Sequence, residues 1–178
     1  KWVLVWKGIR FGEAERFKAP QAPKAWTGVK DVLEFGPVAP QTKSGLSTDG
    51  PQSEDCVSLN VWSPAADGKK RPVMFWIHGG GFVIGAGSSD LYNGAKLSKS
   101  GDVVVVTINY RLGPLGFLYF KDNKNGYENN LGMLDQMAAL KWVKENIAAF
   151  GGDPEQVTIF GESAGGTSVE TLLSAKAA

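Results

Sequence analysis

The 178-residue chain carries 19 Lys plus Arg against 18 Asp plus Glu, with 43% apolar residues. That balance allows a packed core and gives no charge asymmetry that would suggest nucleic acid or an anionic membrane as a partner. No apolar run approaches the roughly 18 residues of a membrane-spanning helix, and the first ten residues lack the basic-then-apolar order of a secretory signal.

In chain order, Lys1-Trp-Val-Leu-Val-Trp6 reads as a strand, so the chain opens as though inside a domain. Pro37 to Asp55 is a polar loop without the composition of a linker. Val57 to Trp62 is predicted as a strand. Pro72-Val-Met-Phe-Trp-Ile77 is a second, apolar throughout and bounded by Pro72, and it runs into His78-Gly79-Gly80-Gly81-Phe82. Val103 to Asn109 shows no polar alternation, as expected of a strand covered on both faces. A helix is predicted from about Leu131 to Phe150. Met133, Met137, Leu140, Val143, Ile147 and Phe150 form its apolar stripe, and Gly151-Gly152 supplies its stop. Val157 to Phe160 is the last strand. Alternating strands and helices point to an α/β fold with a mostly parallel sheet. There is no internal repeat, low-complexity tract or N-x-S/T sequon.

The most informative stretch is Val157-Thr-Ile-Phe-Gly-Glu-Ser-Ala-Gly-Gly-Thr167. A β-branched and aromatic run meets Gly161-Glu162-Ser163-Ala164-Gly165, and a helix-compatible stretch follows. Strand, sharp turn and helix with serine at the apex is the context of the G-x-S-x-G nucleophile elbow. Glycines at 161 and 165 leave room where side chains would collide. The following helix aims its N-terminal N–H groups at the reaction centre. The glycine triplet after the Pro72 to Ile77 strand bares further backbone N–H groups, the pattern of the second half of an oxyanion hole.

Taken together, the chain resembles the N-terminal part of a type-B carboxylesterase, the α/β-hydrolase family that includes bacterial p-nitrobenzyl esterases and the cholinesterases. The matching pieces are Trp6-Lys-Gly-Ile9, Arg16-Phe17, Ser53-Glu-Asp-Cys-Val-Ser-Leu-Asn-Val61 and Trp76-Ile-His-Gly-Gly-Gly-Phe82. They continue with Asn109-Tyr-Arg-Leu-Gly113, Leu115-Gly-Phe117, Asn130-Leu-Gly-Met-Leu-Asp-Gln136 and Phe150-Gly-Gly-Asp-Pro154 through Gly166, in family order throughout. The texture of Ser63 to Lys70 and of Lys144 to Phe150 resembles the bacterial branch.

The resemblance implies a serine carboxylic-ester hydrolase that works through an acyl-enzyme. Ser163 is the implied nucleophile, with the N–H groups of Gly80, Gly81 and Ala164 as oxyanion donors. No metal or organic cofactor is implied. The partners are a small-molecule ester and the C-terminal segment of the same enzyme, with neither nucleic acid nor membrane involved. In secreted relatives the cysteine of Glu-Asp-Cys pairs with one in an upstream Cys-Pro-Gln. Here that stretch reads Gly36-Pro-Val-Ala-Pro-Gln41, so Cys56 is expected to be a free buried thiol, which fits a reducing, cytoplasmic location. Choline-hydrolysing relatives carry a cage tryptophan between those two elements, and Pro40 to Asp55 holds no aromatic residue. Neutral or aryl esters of short or medium chain are therefore expected as substrates. Arg111 with Asp153, and Arg16 with Glu54, are expected as Arg–carboxylate pairs that fix the loops.

Two departures stand out. The family's acid and histidine follow the serine in chain order, yet no histidine follows Ser163, and the only later acid is Glu170. His78 is the sole histidine, and its place in the glycine loop suits an orienting role. Residues 1–178 are thus expected to be the N-terminal portion of a single catalytic domain, inactive by themselves. Relatives also carry a proline-rich loop where only Arg10-Phe-Gly-Glu-Ala-Glu15 stands here. Two alternatives remain at this point: a hormone-sensitive-lipase-like esterase, and an adhesion-type member of the fold without chemistry. Intact Ser163 weighs against the second.

Overall fold

A computed structural model describes residues 2–43, 50–122 and 125–175. Five strands form one sheet: β1 (Leu4–Arg10), β2 (Ser58–Ser63), β3 (Arg71–Ile77), β4 (Val104–Ile108) and β5 (Gly152–Gly161). Their order is β1-β2-β4-β3-β5. Among the described residues four α-helices accompany them: α1 (Ala95–Gly101), α2 (Gly113–Phe117), α3 (Leu131–Asn146) and α4 (Ala164–Ser174), with 3-10 turns at Asp90–Tyr92 and Ile147–Phe150. The class is α/β, as expected. β3 pairs in parallel with both β4 and β5, whereas β1–β2 and β2–β4 are antiparallel. The sheet is therefore mixed, with β2 alone running against the other four strands. Among the described residues, no helix is long and apolar enough to cross a membrane.

The strand boundaries differ from the sequence reading for local reasons. β1 continues past Trp6 because Gly8, at φ +66°, takes up a register shift between Trp6 and Ile9 and donates its N–H to Asn60 Oδ1 at 2.9 Å. Pro72 lies inside β3, at the point where the β3–β5 pairing is itself irregular, so its missing N–H leaves no regular ladder position empty. Lys1, and residues 44–49 of the polar loop, lie outside the described residues. The remainder of that loop is tied down by Val38 N–H to Pro51 O at 2.9 Å and Ser53 N–H to Val38 O at 3.0 Å.

One face of the sheet is the core. Leu59, Val61, Val73, Phe75, Val104, Val106 and Ile108 are fully buried there, under Ala139, Val143 and Ile147 of the α3 region and Leu172 of α4. β3 alternates, with Val73, Phe75 and Ile77 buried and Met74 and Trp76 only half-buried on the other face. Cys56 is a free thiol buried in this core, and desolvation pushes it up to about 12, which makes it inert at neutral pH.

The expected stripe on α3 needs correction. Val143 and Ile147 are buried, but Met133, Met137, Leu140 and Phe150 are only half-buried at the core's margin. The deepest line down the helix instead includes Asp135 and Gln136, both at 0% exposure. Polar partners turn the helix this way. Gln136 donates from Nε2 to Ser168 Oγ on α4 at 3.1 Å, and Asp135 receives Arg111.

That pair also replaces the expected one. Arg111 donates from its backbone N–H and Nε to Asp135 Oδ2 at 2.9 and 2.8 Å, and from Nη2 to Oδ1 at 2.7 Å. Its Nη1 reaches the Glu15 and Lys18 carbonyls at 3.1 and 2.7 Å, pinning the 15–18 loop to the same point. Burial pushes the Asp135 carboxyl up, and the bidentate guanidinium pulls it back toward the ionised form. Asp153 makes no such contact. It accepts from the Glu155 N–H and Gln156 Nε2, each at 2.9 Å. Arg111 follows the end of β4 while Asp153 stands near the start of β5, and strands running in the same sense put those points at opposite ends of the sheet. The Arg16–Glu54 pair does form, with Nε to Oε2 at 2.8 Å, but the Arg16 side chain is 62% exposed.

Removing one member of the buried pair leaves an uncompensated charge in the core. Asp135→Ala is expected to lower unfolding stability by about 3–5 kcal/mol in a denaturant titration, whereas Glu54→Gln at the surface should have a far smaller effect. Equal losses in the two variants would contradict the assignment of Asp135 as the buried anchor.

Candidate active site

The last residues of β3 and β5, paired Ile77 to Gly161, deliver the two candidate motifs side by side. Ser163 sits between β5 and α4 at φ +54° and ψ −122°, a conformation L-residues rarely hold, and its side chain is exposed. Such backbone strain is of the order of 1–3 kcal/mol and persists only where the surroundings over-determine it. The surroundings here are backbone. A methyl group on Gly165 would stand 2.1 Å from the Ile77 carbonyl oxygen, and one on Gly161 would stand 2.5 Å from the Gly165 carbonyl carbon. Only glycine lets the strand and the helix approach this closely.

The glycine loop meets the elbow the same way. A methyl on Gly79 would lie 2.6 Å from the Glu162 carbonyl oxygen and 3.0 Å from Ser163 Cβ. The loop closes on itself through Val83 N–H and Ile84 N–H, both donating to Gly80 O at 3.1 Å. Among the described residues, the N–H groups of Gly80 and Gly81 donate to no other group. Ala164 opens α4, so its N–H has no acceptor within the helix. Three unengaged backbone donors therefore lie on the two elements that touch at Ser163.

His78 is buried at 1% exposure. Its ring stacks on Tyr110, centroids 4.4 Å apart at 20°, and Nδ1 lies 2.8 Å from Gly79 O. Nδ1–H donates there, and Nε2 makes no hydrogen bond. The orienting role expected for His78 is thus the one its contacts support, since nothing joins it to Ser163. Glu170 is exposed on α4. Sequence reasoning did not single out Tyr110, whose hydroxyl donates to the His78 carbonyl at 2.8 Å. Gln41 was missed as well. It accepts from Gly85 N–H at 2.8 Å and donates to Gly85 O at 3.0 Å, clamping the far side of the loop. Both lie inside quoted stretches, Asn109-Tyr-Arg-Leu-Gly113 and Gly36-Pro-Val-Ala-Pro-Gln41, but nothing in either signals its contact with the loop.

The whole chain, residues 1–178, matches the family model described as Carboxylesterase family. The chain belongs to the carboxylesterase family. It is 54% identical to the para-nitrobenzyl esterase of Bacillus subtilis over 184 residues, covering 99% of this chain and 38% of that protein. It is 41% identical to the phenmedipham hydrolase of Pseudarthrobacter oxydans, covering 96% of this chain and 36% of that protein. Among solved structures it superposes on a thermophilic PNB esterase with a TM-score of 0.93 at 52% identity, covering 98% of this chain and 38% of that one. A Geobacillus stearothermophilus carboxylesterase at pH 6.2 gives 0.90 at 55% identity, with 98% and 37% covered. The chain thus spans well under half the length of these carboxylesterases.

Burial lowers the His78 pKa from 6.5 to about 4, so the folded protein holds the imidazole neutral. The unfolded chain takes up that proton below about 6.5. The resulting stability is fully present above that pH and is lost as pH falls toward about 4. Denaturation midpoints measured between pH 7 and 4 should fall more steeply in the native sequence than in His78→Asn. Parallel slopes would show that His78 is not the buried neutral group described.

Proposed function

We propose that the chain supplies the nucleophile and the oxyanion donors of a serine carboxylic-ester hydrolase. Ser163 Oγ attacks the ester carbonyl, the alcohol leaves, and water then releases the acid from the acyl-enzyme and restores the hydroxyl. The N–H groups of Gly80, Gly81 and Ala164 receive the oxyanion; in enzymes of this kind, losing one such donor lowers the rate about 10²–10³-fold. The observation that supports this reading is the close approach of Gly79 to the Glu162 carbonyl and to Ser163 Cβ, which brings the glycine loop against a strained, exposed serine. That intact arrangement favours chemistry over an adhesion role.

The acid and the general base are proposed to come from sequence beyond these 178 residues, which would make residues 1–178 the N-terminal portion of a single α/β-hydrolase domain. Two features support a C-terminal segment as the partner of this one. β5 stands at the edge of the sheet. On the open face, Trp76, Leu91, Tyr92, Val105 and Phe160 line a cavity of about 230 Å³ that this chain does not fill.

Neutral or aryl esters of short or medium chain are the proposed substrates, in keeping with relatives named para-nitrobenzyl esterase and phenmedipham hydrolase. Without an aromatic residue from Pro40 to Asp55, a quaternary ammonium would lack that part of a cage. The single cysteine, buried and unpaired, supports a cytoplasmic setting.

In an active protein that contains this chain, a fluorophosphonate should place one label, on Ser163, and Ser163→Ala should abolish hydrolysis of p-nitrophenyl butyrate. Residues 1–178 alone should fall short of that activity by about 10⁶-fold, the scale set by loss of a catalytic histidine in subtilisin. Labelling elsewhere would refute the nucleophile. Full activity of the chain alone would refute the absent base and return His78 to consideration.

A further inference from the structure

A second groove, of about 360 Å³, lies against β1, the 23–32 loop and the end of α3. None of its lining residues belongs to the glycine loop or the elbow. Three of the six tryptophans gather there, Trp6, Trp26 and Trp142, together with Phe150. Phe150 packs against two of them, edge-on to Trp6 at 4.9 Å and tilted against Trp142 at 5.7 Å, so the three rings form one continuous wall. Trp26 is 56% exposed, with Lys30 Nζ over its ring at 5.2 Å. Open aromatic clusters rimmed by charge mark interaction sites on protein surfaces. Its volume lies at the lower end of the roughly 300–1,000 Å³ of small-molecule sites.

The charges decide which ligand fits. Arg10, Lys24 and Lys30 line the groove against a single carboxylate, Glu13. Glu13 is already engaged by Lys24 at 3.6 Å, and Arg10 is held by Asp55 at 2.5 Å. Lys30 has no carboxylate partner among the described residues. An organic cation would meet uncompensated positive charge, and a neutral ring would leave Lys30 without a counter-ion. We propose that this groove binds a small, flat organic anion, an aryl carboxylate or sulfonate. Its ring lies between Trp26 and Trp142, and its acid group meets Lys30 and Lys24. The site is independent of Ser163 and of any hydrolysis.

The test is a calorimetric titration of the protein with 2-naphthoate and with its neutral isostere 2-naphthylmethanol. Naphthoate should bind several-fold more tightly, and the difference should shrink in high salt. Lys30→Gln should weaken naphthoate by about 1.4–5-fold, the range of an exposed charge pair, and leave the alcohol unchanged. Trp26→Ala should weaken both by about 2–10-fold, as loss of an aromatic contact does. Both side chains are exposed, so unchanged circular dichroism should confirm that the variants fold. Equal affinity for acid and alcohol, naphthoate binding indifferent to Trp26→Ala, or no binding at millimolar ligand would each overturn the proposal.

Discussion

The arrangement at Ser163 depends on main chain touching main chain without side chains between. Where β3 and β5 end together, Ile77, Gly79, Gly161, Glu162 and Gly165 approach so closely that a methyl group at any of the three glycines would lie within 2.1–2.6 Å of another backbone atom. Packing at that density tolerates no added carbon, because neither side is a flexible side chain that could move away. The same contact holds Ser163 in its strained conformation and sets α4 at its angle. It also fixes the glycine loop, which gives the donors proposed there the preorganisation that such donors need.

Two buried polar devices hold the approaching segments in register. Tyr110 and His78 form one, a stacked pair whose hydroxyl and ring nitrogen secure consecutive carbonyls, those of His78 and Gly79, where the loop leaves β3. The other is the Arg111–Asp135 pair, which ties the segment after β4 to α3 and to the 15–18 loop. The sequence Asn109-Tyr-Arg-Leu-Gly113 thus serves the loop through Tyr110 and the frame through Arg111. Asn109 completes it, accepting from Gly87 N–H at 2.8 Å and donating to Pro37 O at 3.0 Å.

Much of this was legible in the residues. Gly161, Ser163 and Gly165 announce a strand–turn–helix because few other sequences survive that turn, and Val104 to Ile108 reads as a doubly covered strand because no polar residue interrupts its pattern except Thr107. On α3, apolar periodicity finds Val143 and Ile147 in the core and the methionines at its margin, but it cannot see a buried carboxylate. Asp135 counts as polar in the sequence, yet with its partner it is as fully buried as Ala139 and Val143. The pairing of Arg111 with Asp153 fails on topology, since the end of β4 and the start of β5, two strands running in the same sense on either side of β3, lie at opposite ends of the sheet. The groove around Trp26 was invisible, because its walls come from segments more than a hundred residues apart.

The most direct measurement is a crystal structure of an active protein that contains this chain, carrying a phosphonate on Ser163. The phosphoryl oxygen stands where the oxyanion would form. It should lie about 2.7–3.1 Å from the backbone nitrogens of Gly80, Gly81 and Ala164, with the Gly79 to Glu162 backbone contact unchanged. An oxygen turned to solvent, or held by a side chain while those three nitrogens stay unengaged, would contradict the account.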